Sequence, residues 1–405
     1  MDNKGQSPFS AIKVVECGEG VAAAFGAKLF ADLGAEVIKV EPPAGDLARR
    51  RGPFPQHQPD PEKSGIFIYL NTNKRGVSVD LKRPEGRDLL AQLTARADIL
   101  IHNVAPPERA AHGLESAALR AAYPKLIVTS ISIFGDSGPY ANYRAYEITA
   151  ANAGGWAYLS PGASPYPELP PLKCFGSQAD FQGGAQGAIA TLGAYMHRLK
   201  SGKGQSIEIS EQEAIGAMLE MNLMHYTYAR RETSRLGQRA LGPWFIADCQ
   251  DGKIFALTVE EDQWQRLVEF MGKPEWTQDE LFRDRLARAQ NMDALKALMT
   301  EWLAGWKVQD LYREAQARRI PFAPVSTMRQ LYENPHLAER NFFIEFDQPG
   351  IGKLKVPGMP SQYGRTPWTL RRPAPRLGEH NEEVFRGELG ISAERFSTLK
   401  QAGVL

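Results

Sequence analysis

Between residues 18 and 23 the chain reads Gly-Glu-Gly-Val-Ala-Ala, a permissive GxGxxA turn, and Glu41 closes the strand that comes next. Glycines in such a turn let backbone N–H groups approach a diphosphate, and the helix that follows favours the negative charge at its N-terminus. An acid at the end of the second strand is where a dinucleotide fold holds a ribose. A nicotinamide- or flavin-binding Rossmann enzyme is therefore one reading of Gly18, Gly20 and Glu41, and a plain glycine turn is the other. The residues after Glu41 point away from the first. The loop PPAGDLARRRGPF collects Asp46, Arg49, Arg50 and Arg51, and NTNKRG adds Lys74 and Arg75. Cations so grouped pair with a pyrophosphate and a further phosphate through charge-assisted hydrogen bonds, or else make a solvated loop surface. Three cysteines, Cys17, Cys174 and Cys249, and seven histidines show no ligand spacing, so no metal is expected. Cys174 is expected to be a small buried thiol.

The elements that must position these groups are legible in the hydrophobic pattern. IKVVE, the glycine turn, VAAAFGAKLFADLG and AEVIKVE form one strand–helix–strand unit from Ile12 to Glu41. FIYLNTNKRGVSVDL reads as hairpin-like, Pro84 opens a helix, and ADILIHN is a further strand. Another helix and strand run from Glu115 to Ser132 and end at FGDSGPY. This alternation predicts an α/β domain with a parallel sheet covered on both faces. From Tyr146 to Pro171 a glycine- and proline-rich stretch is expected to be a loop folded over a site. Asp180 then opens a long helix to Arg198, where on its own it reads as a helix N-cap. A strand, SIEIS, and a helix to about Arg230 follow. The polar stretch from Arg230 to Pro243 is a crossing, and a smaller mixed region carries the strand KIFALTV and three helices. The proline-rich tail from Asn341 is expected to run in extended contact with its neighbours.

Composition bounds the function. The 405 residues suit two lobes, and 48 basic against 47 acidic residues leave a net charge of +1, so no global field draws the chain to nucleic acid or anionic lipid. Any polyanion must be held by a local site. No apolar run approaches the ~18 residues of a membrane span, and MDNKGQSPFS has no signal-peptide pattern. A cytoplasmic location is expected.

Read together, GAEVIKVEPPAGD, LNTNKRGVSVDLKRPEGRDLL, PKLIVTSISIFGDSGPY, SQADFQGGAQGAIATLGAYMHRLKSGKGQSIEIS and PAPRLGEHNEEV closely resemble the class III coenzyme A transferase family. That family holds formyl-CoA and crotonobetainyl-CoA transferases and α-methylacyl-CoA racemases. The segments occur in the family's order over almost the whole chain, most strongly across residues 12–215. The resemblance implies a Rossmann-like large domain plus a smaller α/β domain in an interlocked homodimer. Residues 1–230 would form the large CoA-binding domain, with 331–405 returning to it, and 244–330 the small one. It implies an acyl-CoA:carboxylate CoA-transferase that takes coenzyme A and acyl-CoA as substrates and holds no permanent cofactor.

By the same resemblance Asp180, in Ala-Asp-Phe-Gln-Gly-Gly, is the nucleophile, passing through a mixed anhydride and an aspartyl-CoA thioester. Gly183 and Gly184 are expected to bring backbone donors to the tetrahedral intermediates, with Gly154 and Gly155 as further candidates. The family's racemases carry a Gly-His-Asp motif where this chain has Ala145-Tyr146-Glu147. A phenol is a poor base at neutral pH, so an α-methylacyl-CoA racemase is the second reading. Tyr146 and Glu147 are expected to line and orient the acyl site. For coenzyme A the implied contacts are Val21, Ala22, Asn71, Lys74, Arg75 and Asn103. Arg109 stands near the phosphate position and Arg49 is offered by its loop. A family member that binds coenzyme A without turnover is a further reading. Trp156, Tyr158, Tyr166, Trp244 and Phe245 suggest an acyl pocket beyond the smallest acids.

Overall fold

The β-branched run KVVEC forms β1 (Lys13–Cys17), and the glycine turn leads to α1 (Ala22–Asp32) and β2 (Glu36–Glu41). Then come α2 (Gly65–Asn71), β3 (Arg75–Ser78), α3 (Pro84–Thr94), β4 (Ile99–His102), the short α4 (Arg109–His112), α5 (Ser116–Ala122) and β5 (Ile127–Ser132). After these follow α6 (Glu147–Ala153), α7 (Gln178–Ser201), β6 (Ser206–Ser210), α8 (Glu211–Gly216) and α9 (Met221–Ala229). The computed structural model describes residues 7–162, 166, 168–235 and 242–405. Part of the expected loop before Pro171 and part of the crossing before Pro243 lie outside the described residues.

The six strands make one parallel sheet in the order β3-β2-β1-β4-β5-β6. Strand order reverses between β1 and β4, where connections leave in opposite directions and open a crevice at the carboxyl ends of the strands. Successive residues of a strand face opposite sides. Val14, Val37, Ile99 and Ile127 accordingly pack with Phe30 of α1 and Ala188 of α7 on one face. Val15, Ile38, Leu100 and Val128 pack with Leu89, Leu90 and Leu93 of α3 on the other.

Two expectations change. FIYLN is a helix and not a hairpin arm: Ser64 Oγ accepts from Phe67 N, and Phe67, Ile68, Leu70 and Asn71 turn inward. The following β3 pairs parallel to β2, so the connection crosses over. The stretch after Tyr146 is also not loop throughout, since Glu147–Ala153 form α6 with Thr149 Oγ1 accepting from Tyr146 N.

The chain divides into two compact units, one of Met1–Pro161, Leu169–Glu232 and Phe342–Leu405, the other of Gly162–Glu168 and Thr233–Asn341. The second unit carries the antiparallel order β7-β8-β9, with β7 at Trp244–Cys249, β8 at Gly252–Leu257 and β9 at Ala323–Pro324. Its helices are α10 (Glu261–Phe270), α11 (Arg285–Gln290), α12 (Met292–Ala304), α13 (Val308–Ala317), α14 (Met328–Tyr332) and α15 (Pro335–Glu339). Trp264, Leu267, Leu295, Met299, Leu311 and Phe322 fill its core, and Phe245 belongs to that core as well.

The tail returns to the first unit as the hairpin β10 (Phe343–Gln348) and β11 (Gly352–Pro357), an extended run, and α16 (Ala393–Gln401). It seals the exposed edge of β3. His380 N donates to Gly76 O, His380 Nδ1 accepts from Gly76 N, and Asn381 Oδ1 accepts from Ser78 N. The motif LGEHNEEV therefore satisfies an edge that would otherwise offer free pairing groups.

Candidate active site

The glycine turn sits in the crevice between β1 and β4, held from three sides. Asn103, just past β4, accepts from Glu19 N through Oδ1 at 3.0 Å and donates Nδ2 to Glu19 O at 2.7 Å. Asp46 Oδ1 accepts from Gly20 N at 2.7 Å, and Lys39 Nζ donates to Gly18 O at 3.1 Å. A Cβ on Gly18 would stand 2.4 Å from Asn103 Oδ1, so the turn closes on Asn103 only with glycine there. Val21 makes no side-chain cap to α1, which leaves the first N–H groups of the helix for an anion in the crevice.

Most of the cations expected to meet phosphate are held inside the chain. Arg49 is 2% exposed, donates Nε and Nη2 to the Glu41 carboxylate at 2.6 and 2.8 Å, and stacks over Phe67. Lys74 is fully buried between Glu16 Oε2 at 2.6 Å, Ala24 O and Asn71 Oδ1. Arg75 is engaged by Glu36, Glu383 and Glu388. Arg109 pairs with Asp136 at 2.6 Å. These residues and the buried Asn71 brace the floor and edge of the crevice; Glu41 holds Arg49, which leaves little of it for a ribose. Burial pushes Lys74 down to about 8, against the pull of Glu16. Of the loop cations, Arg50 and Arg51 remain exposed.

The helix α7 is locked to α1 by glycines. A Cβ on Gly184 would come within 2.5 Å of Ala22 O, one on Gly26 within 3.1 Å of Gly184 O, and Phe25 meets Phe181 edge to face at 4.8 Å. Glycine inside a helix usually costs up to about 1 kcal/mol relative to alanine. Here the sign reverses: Gly184→Ala is expected to destabilise by about 1–3 kcal/mol, because two backbones must part. A melting temperature equal to or above the parent's in a thermal scan would contradict that. Gly183 makes room in the same way, since its Cβ would lie 2.7 Å from Glu211 Cγ. Both glycines lie in the helix interior, where their N–H groups serve carbonyls four residues back. Gly154 N and Gly155 N donate to Ala150 O and Asn152 O. All four were expected as donors to the reacting oxygen, and the helices use those donors instead.

Asp180 stands in the first turn of α7, one turn before Gly184. Around it the sequence points to Glu147 but not to Glu211 and Ser177, nor to Lys173, which pairs with Glu147. Glu147 Oε1 accepts from Ala179 N at 3.3 Å, and its Oε2 pairs with Lys173 Nζ at 3.0 Å. Lys173 also donates to Cys174 O and Gly176 O. Arg51 Nη2 donates to Ser177 Oγ at 3.0 Å. Burial and then the Glu147 charge push Asp180 up to about 6, while Ser177, Arg51 and Glu211 oppose the rise. Burial and then the Asp180 charge push Glu211 up to about 9. Such a carboxyl, anionic at neutral pH but poorly solvated, suits a nucleophile. Tyr146 is 79% exposed at the rim, with Tyr158 and Phe175 also open to solvent. Glu211 follows directly on SIEIS at the same carboxyl end of the sheet as the glycine turn, a position that could have marked it.

Among the described residues, no group of three or more histidine, cysteine, aspartate or glutamate side chains is placed to hold a metal ion. No described helix is long and apolar enough to cross a membrane.

Residues 9–381 match CoA-transferase family III. Succinate–glutarate CoA-transferase of Agrobacterium fabrum is 30% identical over 387 residues, 93% of this chain and 95% of that protein. Formyl-CoA:oxalate CoA-transferase of Streptomyces avermitilis is 28% identical over 93% of this chain and 94% of its own length. Among solved structures, a CAIB/BAIF family protein from Brucella suis superposes with a TM-score of 0.84 at 29% identity, covering 95% of this chain and 100% of that one. With the sheet order, the glycine turn and the carboxyl cluster already in place, this chain belongs to CoA-transferase family III and is an enzyme of the CoA-transferase class.

Proposed function

We propose that this chain transfers coenzyme A from an acyl-CoA to a free carboxylic acid through Asp180. The observation that carries the reading is one partly buried aspartate, set among Glu147, Glu211, Ser177 and Arg51, on a helix clamped to the one that starts at the glycine turn. An Asp180 oxygen attacks the thioester carbonyl carbon, the C–S bond breaks, and the CoA thiolate leaves a mixed anhydride. The thiolate then attacks the Asp180 carbonyl carbon, the anhydride C–O bond breaks, and the donor acid departs as its carboxylate, leaving an aspartyl-CoA thioester. The acceptor carboxylate attacks that thioester and the same two steps run in reverse, restoring Asp180.

Coenzyme A lies along the glycine turn, its diphosphate on the N–H groups at Val21 and Ala22, with Asn103 fixing the turn and the exposed Arg50 supplying charge. The cofactor enters as substrate and none is held permanently. The acids are dicarboxylic: relatives are named for succinate, glutarate, malate and oxalate, and Arg51, whose charge acts on Asp180, offers a cation for a second carboxylate. Two copies form an intertwined homodimer. Ile189, Leu192, Met196 and Leu199 line one outward face of α7, and α9 buries no residue of its own within the chain. Apolar faces of that extent are covered by a partner. Three unpaired cysteines fit a reducing cytoplasm.

Incubation with succinyl-CoA and hydroxylamine, followed by mass analysis of the Asp180 peptide, is expected to yield a hydroxamate at Asp180. Deuterium exchange at the acyl α-carbon without any adduct is the result that would replace this reading with an isomerase.

A further inference from the structure

Glu211 is only 3% exposed, and its Oε2 is buried with no hydrogen-bond donor to receive from among the described residues. The geometry that puts it there is specific. Ser210 ends β6 and caps α8 through Glu213 N at 3.2 Å, which turns the Glu211 stem over Gly183, where any side chain on α7 would collide with it. Its carboxyl is thereby within hydrogen-bonding reach of Asp180. Two carboxylates cannot share a hydrogen bond, whereas a carboxylic acid and a carboxylate make a strong one. The oxygen that no donor approaches is the one able to carry the proton.

The charged and titratable groups facing the pair are Glu147 from α6 and, toward Asp180, Arg51 from its loop together with the Ser177 hydroxyl. Glu147 has its own cation in Lys173, and Arg51 and Ser177 attend Asp180. Asp180 and Glu147 are the two charges that act on Glu211, both negative, so Glu211 is the member that stays neutral.

We propose that Glu211 is a positioning residue: it stays protonated, donates its acid proton to the Asp180 carboxylate, and so aims the attacking oxygen while keeping the nucleophile anionic. The proton is not transferred in any step. It returns to the same hydrogen bond each time the aspartyl thioester is discharged. This inference rests on Asp180 being the nucleophile.

The test compares Glu211→Gln and Glu211→Leu with the parent enzyme, reading kcat/KM for succinyl-CoA with glutarate as acceptor from pH 5 to pH 10. Leucine removes the donor, so the acid limb is expected to move up by about one pH unit, with roughly a tenfold loss near pH 6. Glutamine keeps a donor of the same shape and cannot ionise. It is expected to leave the acid limb where it was and to abolish the alkaline fall expected of the parent near pH 9. A residue that merely filled space would lower rates evenly and move neither limb. An acid limb unmoved in the leucine variant, or an alkaline limb that persists in the glutamine variant, overturns the proposal. The isosteric glutamine variant decides the question alone if leucine prevents folding. Absence of a hydroxamate at Asp180 in the parent enzyme would instead sink the transferase reading, and the two failures are separate.

Discussion

Asp180→Asn is expected to lower CoA transfer by about 10⁴-fold or more while leaving acyl-CoA binding nearly unchanged. The amide preserves volume and leaves untouched the Ala179 N–Glu147 contact that precedes it on α7. It removes the oxygen nucleophile that the protein is proposed to supply, and no described neighbour replaces it. Glu211 is held neutral in the proposed arrangement, its carboxyl pushed up to about 9, and Glu147 is engaged by Lys173. The loss belongs in kcat and not in KM, because the glycine turn proposed to hold coenzyme A is not altered. Asp180 must be anionic to attack, so the parent's rate should decline as pH falls through about 6.

The same shift fixes a stability effect of opposite sign. The folded state holds the Asp180 proton up to about 6, above the ordinary value of 3.8, so folding binds a proton that the unfolded chain has lost. Stability contributed by this group is full below 3.8, falls as pH rises through that window, and stays lost at pH 7. The inactive Asp180→Asn variant should therefore melt higher than the parent at pH 7, with the gap closing toward acid pH. Activity within tenfold of the parent, or a lower melting temperature at neutral pH, would contradict the assignment.

How far the sequence revealed this site depended on how local each signal was. The strand–turn–helix around Gly18 is continuous in the chain, and its period change from two to 3.6 is visible without a structure. Asp180 and Glu147 were reached through motifs. Glu211 was not, because it is brought to Asp180 by the pairing of β6 with β5 and by an absent side chain at Gly183. Neither leaves a periodic trace. The burial of the basic clusters was hidden for a related reason: a lysine or arginine at a strand edge looks the same in sequence whether it meets solvent or a buried glutamate. What separates them is the set of carboxylates at Glu16, Glu36 and Glu41 on neighbouring strands, which face Lys39, Lys74, Arg75 and Arg49 only once strand order is known. The FIYLN segment was ambiguous because a short apolar run fits a strand or a buried helix equally well.

Those buried charges carry the largest expected effect on folding. Glu16 is wholly buried on β1, with Oε1 2.8 Å from Lys39 Nζ and Oε2 2.6 Å from Lys74 Nζ. Glu16→Gln leaves both ammonium groups in place with less negative charge to balance them, a situation that costs about 3–5 kcal/mol when one partner of a buried pair is removed. The two lysines should respond differently. Lys39 keeps Asp46 at 2.7 Å and stays charged, whereas Lys74 keeps only the neutral acceptors Ala24 O and Asn71 Oδ1. Already pushed down to about 8 in the parent, Lys74 should fall further and become the neutral amine. A lysine whose folded value lies below its unfolded 10.5 penalises folding in full below the folded value, and the penalty fades as pH rises toward 10.5. The Glu16→Gln defect should therefore shrink between pH 6 and pH 9, measured by denaturant melts at each pH. Adding Lys74→Met, which removes the stranded amine and keeps the apolar stem, should restore much of the loss. A defect that does not vary with pH, or a double variant no more stable than the single one, would show that Glu16 acts through packing alone. Because Lys39 also holds Gly18 O, coenzyme A affinity should weaken with stability in the single variant, which ties the buried pair to the turn it supports.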